Sequence, residues 1–115
     1  PENVVRAGLS ISGVFELRDI VKTPSINGDV RLTDMSAREV SPALLPPAST
    51  APLHLAVGGA ETKGFLKQHA LMRKAWQASI QEACVISNTN HFTVLDGLTH
   101  PESEIFGSLA RLMEK

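Results

Sequence analysis

The chain has 115 residues, of which 43% are hydrophobic and 20% charged, an ordinary composition for one globular domain. Its 11 basic and 12 acidic residues give a formal net charge of −1, and neither sign gathers into a stripe or tail. That argues against a nucleic-acid or membrane-surface partner. No apolar run approaches the length of a membrane span. The opening Pro1-Glu2-Asn3 lacks the charged start and apolar block of a secretory leader. The single Cys84 rules out an intrachain disulfide framework, so a reducing, cytoplasmic setting is expected.

Val4 to Leu17 is rich in β-branched residues and free of proline, which predicts a strand through about Ser12, buried on both faces. Thr23-Pro24-Ser25 and Asn27-Gly28-Asp29 read as turns in a following loop. Thr33 or Asp34 caps a short helix, roughly Met35 to Val40, which Ser41-Pro42 stops. Four prolines between Pro42 and Pro52 predict an irregular connector. Leu53 to Val57, bounded by Pro52 and Gly58-Gly59, is a second strand. Thr62 to Ser79 is helical in pattern, with Phe65, His69, Met72 and Trp76 on one face. Glu82 to Ser87 is a third strand and Asn88 to Phe92 a polar turn. Pro101 at N1 opens a last helix striped with Ile105, Phe106, Leu109 and Leu112-Met113.

Strands alternating with helices predict a parallel sheet with covering helices. Ligands bind such sheets at the carboxyl ends of the strands. Two residues suited to proton chemistry fall at such ends: Glu61 after the second strand and His91 after the third. A base needs to reach the attacking group, and a carboxylate beside it fixes its tautomer and stabilises its charge.

Three stretches carry a family resemblance. They are Ala56-Val57-Gly58-Gly59-Ala60-Glu61 followed by Phe65, Gln68 and Trp76; Asn90-His91-Phe92-Thr93-Val94-Leu95-Asp96; and Gly8-Leu9-Ser10-Ile11-Ser12-Gly13-Val14-Phe15-Glu16-Leu17. Together they resemble the kynurenine formamidase (arylformamidase) branch of the α/β-hydrolases and the related small esterases, over nearly the whole chain. The resemblance implies an α/β fold, the C-terminal portion of a three-layer hydrolase sandwich. Residues 1–115 would be the C-terminal part of a single α/β-hydrolase domain.

In that family the acid follows a Val-Gly-Gly strand end and the histidine lies in an Asn/Asp-His-Phe loop, which implies catalytic roles for Glu61 and His91. The acid is usually aspartate there, so Glu61 departs from the pattern. The Gly-x-Ser-x-Gly elbow and the His-Gly-Gly oxyanion motif lie upstream in the family and are not in this sequence. The order Ser, acid, His fits a segment that follows the elbow.

The implied parent is a serine hydrolase, a carboxylesterase or arylformamidase acting on aryl esters or N-formyl aromatic amides, with the isolated chain inactive. The rival readings are a non-catalytic α/β interaction module or remnant, and a different hydrolase of the same fold. The implied partners are a small-molecule ester or formamide and the missing N-terminal half or a second copy, which would cover the apolar edge of Val4 to Ile11.

Plainer readings stand beside these. Glu61 could simply open the next helix, where the dipole favours a carboxylate, and His91 could be a loop residue. Asp96 lies on the wrong side of His91 for the usual order. Ser10 and Ser12 sit in a strand-like stretch without the final glycine of an elbow. Cys84 is expected to be a packed core thiol. His54 and His69 read as structural and His100 as a solvated loop residue, and their spacing gives no metal pattern. Gly58-Gly59 is too short for a phosphate loop, and the Phe65/Trp76 face reads as core. No cofactor is expected.

Overall fold

The computed structural model describes residues 4–115. A three-stranded sheet in the order β1-β2-β3 is built from β1 (Gly8–Ile11), β2 (Leu53–Gly58) and β3 (Ile80–Ile86). Both pairings are parallel: Leu9 lies opposite His54, Ile11 opposite Ala56, and Ala56 opposite Cys84. The pattern of β2 explains its central place. Its side chains alternate between two faces, and Leu55, Ala56 and Val57 are all nearly inaccessible.

On one face Leu55 packs with Phe15 and Met72, and Trp76, Ile80 and Ala83 close the cluster. On the other, Ala56 packs with Val94 and Ile105, beside Leu9, Ile11, Ile86 and Leu98. A fully buried leucine stabilises by about 1.5–3 kcal/mol, so these two clusters fix how the helices dock. Helix α4 (Lys63–Ala75) contributes Met72 to the first cluster. The Trp76 indole N–H donates to the carbonyls of Leu45 (2.9 Å) and Pro42 (3.1 Å), tying down the proline-rich connector. Helix α5 (Glu104–Met113) buries Ile105, Ser108 and Leu112, three and four residues apart, and is capped by Ser103.

Between β1 and β2 lie three short helices: α1 (Arg18–Val21), α2 (Pro24–Val30) and α3 (Asp34–Glu39). Of these, α1 and α2 bury no residue and α3 buries Ala37 alone. Two turns expected here are in fact α2. Pro24 sits at its N1 position, where the missing N–H costs nothing. Asn27 does not turn the chain but closes the helix, its side chain bonding both the N–H and the carbonyl of Leu32. For α3, Thr33 forms the cap, with Ser36 returning the bond.

Other boundaries move too. The first strand is four residues long rather than nine, and its residues are half-buried rather than buried on both faces. Pro101 precedes α5 in a turn. A 3-10 segment, Thr93–Thr99, follows the polar turn and carries Val94 into the core. The expected C-terminal portion of a three-layer sandwich is corrected: this is a small α+β domain with a three-stranded sheet. Residues 12–52 add no strand, and their short helices bury little. Among the described residues, no helix is long and apolar enough to cross a membrane.

Candidate active site

At the carboxyl end of β2 the chain turns through Gly59-Ala60, and Glu61 folds back over the strand end. Its N–H donates to the Gly58 carbonyl (3.1 Å), while its Oε2 accepts from the Gly58 N–H (2.5 Å). The same turn is stitched to the end of β3. Gly59 N–H donates to Ile86 O (2.8 Å) and Ala60 N–H to Thr89 O (2.9 Å). Gly58 has to be glycine for this approach, since a Cβ there would strike the Thr89 carbonyl.

The loop after β3 is shaped by Asn90. Its Oδ1 accepts from the N–H groups of Phe92 (2.8 Å) and Thr93 (2.9 Å), which puts His91 at the apex. Because β2 and β3 are parallel neighbours, that apex lies over Glu61. His91 Nδ1 is 2.8 Å from Glu61 Oε1. The Phe65 ring stacks on the imidazole at 4.4 Å, and Phe92 meets it edge-on at 5.6 Å.

The Glu61 side chain has no exposure, whereas that of His91 is 46% exposed. Burial pushes the Glu61 carboxyl up, but hydrogen bonds from Ser12, the Gly58 N–H and His91 outweigh it and hold the group below its ordinary value. An ionised carboxylate only accepts, so the proton of this bond is carried by Nδ1. Among the described residues the imidazole's hydrogen bond is made through Nδ1. The arrangement is an imidazole fixed through Nδ1 to a buried carboxylate, in a side chain that is half exposed.

One member of this group was not singled out for it by the sequence. Ser12, just beyond β1, donates its hydroxyl to Glu61 Oε2 at 2.5 Å. Its place at a strand's carboxyl end was the available signal.

The remaining candidates lie apart. Asp96 makes no bond to His91 among the described residues; its carbonyl accepts from His100 at 2.8 Å in an exposed loop. His54 is wholly buried, against Ser108 Oγ (2.9 Å) and 3.6 Å from Glu82. It lies near the amino end of β2, away from the pair. His69 is buried on α4, where desolvation and Arg73 lower its pKa. The Cys84 thiol is pushed up chiefly by burial, with Glu104 adding to it, which disfavours the reactive thiolate. Among the described residues no group of three or more His, Cys, Asp or Glu side chains is placed to hold a metal.

Fold and site together define a small parallel-sheet domain that sets a histidine–carboxylate pair at the carboxyl edge of its sheet. No family model matches the sequence, and no curated protein does. Among solved structures, the chain is similar to the crystal structure of a "putative thioesterase" from a Silicibacter species, at 28% identity and a TM-score of 0.83. The likeness covers 96% of this chain and 42% of that one, so the chain spans less than half the length of its neighbour.

That finding overturns the resemblance to the kynurenine formamidase branch of the α/β-hydrolases. With it go the α/β-hydrolase sandwich and the Ser-Glu-His carboxylesterase or arylformamidase. The alternative of a non-catalytic module gains no support either. The motifs misled for a physical reason. A glycine turn before an acid, and an Asn-anchored histidine loop, are local solutions for bringing two polar side chains together at adjacent parallel strand ends. They report the site's geometry and not the family that uses it.

Proposed function

We propose that this chain belongs to a hydrolase of acyl thioesters and carries its base, His91, oriented by Glu61. The observation that carries the reading is the 2.8 Å contact between His91 Nδ1 and a fully buried Glu61 carboxylate, with the His91 side chain half exposed. The likeness to the Silicibacter protein supports the thioester as the substrate class. His91 Nε2 takes the proton of the attacking hydroxyl as its oxygen bonds to the thioester carbonyl carbon. The imidazolium so formed is stabilised by Glu61. The C–S bond then breaks, and the thiolate takes the proton back directly or through water. A thiol with a pKa near about 8.5 leaves with little assistance, so one base is adequate chemistry.

Two described side chains that could attack are badly placed for it. The Ser12 hydroxyl is committed to Glu61, and the Cys84 thiol is held protonated within β3. The attacking hydroxyl is therefore taken to come from water. That the chain is one part of a larger domain, meeting the rest of it or a second copy, belongs to the same proposal. The 42% span of its neighbour and the exposure of Val4 and Val5 support it.

The test is hydrolysis of S-butanoyl-N-acetylcysteamine by the intact protein, read as free thiol. His91→Ala should lower kcat by about three or more orders of magnitude, and Glu61→Gln by a comparable or smaller amount. A His91→Ala protein as active as the wild type removes His91 from the chemistry.

A further inference from the structure

We propose that Ser12 is a positioning residue for the His91–Glu61 pair: its hydroxyl holds the Glu61 carboxylate in the orientation that presents Oε1 to the imidazole. The inference rests on reading that pair as base and acid. Three donors serve the two carboxylate oxygens. Among the described residues, Oε1 accepts from His91 alone, and Oε2 accepts from the Gly58 N–H and from the Ser12 hydroxyl. The side chain is out of contact with solvent, so no bulk water replaces a donor that is lost. With the Ser12 hydroxyl gone, the Gly58 N–H is left as the donor to Oε2 among the described residues.

The backbone at Ser12 is the second observation. Its φ is +51°, in the left-handed region, although the residue is not glycine. Such a conformation is unfavourable for a residue that carries a Cβ. The Ser12 N–H still donates to the Ala56 carbonyl at 2.8 Å, so the strand ladder runs up to the strained residue and stops there. Glycine would adopt this φ without steric penalty. The strain falls on Ser12 and not on Gly13, and the left-handed turn at the end of β1 is what aims the hydroxyl at Oε2.

Ser12→Gly removes the hydroxyl and relieves the strain at once, so the loss of the hydroxyl is read in turnover and the relief of strain in stability. With S-butanoyl-N-acetylcysteamine and the intact protein, kcat should fall by about 10- to 100-fold, the cost of displacing a catalytic group by a fraction of an ångström to one ångström. KM should stay within about twofold, and the melting temperature should hold or rise. In a Glu61→Gln background, Ser12→Gly should add no further loss, because it acts through that carboxylate. A second readout needs no turnover: the downfield proton resonance of His91 Nδ1–H should be sharp in the wild type and broaden or vanish in Ser12→Gly.

Undiminished kcat in Ser12→Gly, multiplicative losses in the double variant, or an unchanged resonance overturns the inference. A wild type that leaves thioesters intact overturns the proposed function instead, and the resonance then still decides the role of Ser12.

Discussion

Substituting Gly58 by alanine tests how the two strand ends are brought together. A Cβ at Gly58 would lie 2.9 Å from the Thr89 carbonyl carbon and 3.0 Å from the Asn90 oxygen, and closer still to the Thr89 oxygen. All three are backbone atoms, so no side chain can swing aside. Ordinary contact needs about 3.5 Å between such atoms, so the loop must retreat by at least about 0.5 Å and nearer 1 Å at the Thr89 oxygen. His91 is the second residue after Thr89 and moves with it. Its bond to Glu61 would then lengthen from 2.8 Å to about the limit of hydrogen bonding. The overpacking should cost about 1–3 kcal/mol of stability, and the displaced base should cost about 100-fold in kcat. Urea unfolding gives the first number and thiol release from S-butanoyl-N-acetylcysteamine the second. A Gly58→Ala protein with wild-type stability and turnover would refute the argument that Gly58 sets the approach of the two loops.

Two further outcomes test the core and the opposite end of the sheet. Leu55→Ala empties a site that is 1% exposed between Phe15 and Met72; it should cost about 3 kcal/mol and lower the melting temperature by roughly 10–20 °C, and a loss under about 1 kcal/mol would show that cluster to be loosely packed. Glu82 is held at about 2, below its ordinary 4.5, first by its bond to Arg111 (2.6 Å) and further by Ser108 and His54. A carboxylate depressed in the folded state adds stability above its unfolded pKa, and that stability is lost as pH falls from about 4.5 through about 2. Glu82→Gln should therefore be less stable than wild type at pH 7, and its urea midpoint should fall less across that acid window; parallel profiles would show that Glu82 gains nothing from folding.

The sequence alone determined what local chemistry can determine. Pro52 and Gly58-Gly59 marked Leu53 to Val57 as a strand, because such residues punctuate the chain locally. The stripe through Phe65, His69 and Met72 marked α4, and Thr33 or Asp34 marked the start of α3, where the structure makes Thr33 the cap. Glu61 and His91 could be singled out because strand ends are legible from the turn residues beside them. Where one pattern served two structures, the sequence was ambiguous. Thr23-Pro24 opens a helix as well as it opens a turn, and Asn27 closes a helix as well as it makes a bend.

Only the tertiary structure decided that Glu61 and His91 meet. Their contact depends on β2 and β3 being hydrogen-bonded neighbours and on Gly58 letting the Thr89 loop descend, and neither is encoded within either segment. It also decided the part of Ser12, 49 residues from Glu61, since a serine's donor has no assigned acceptor until a third strand end is placed beside the other two. The family resemblance failed for the same reason: matching turns and loops record how a strand end is built, while kinship is a property of the whole arrangement.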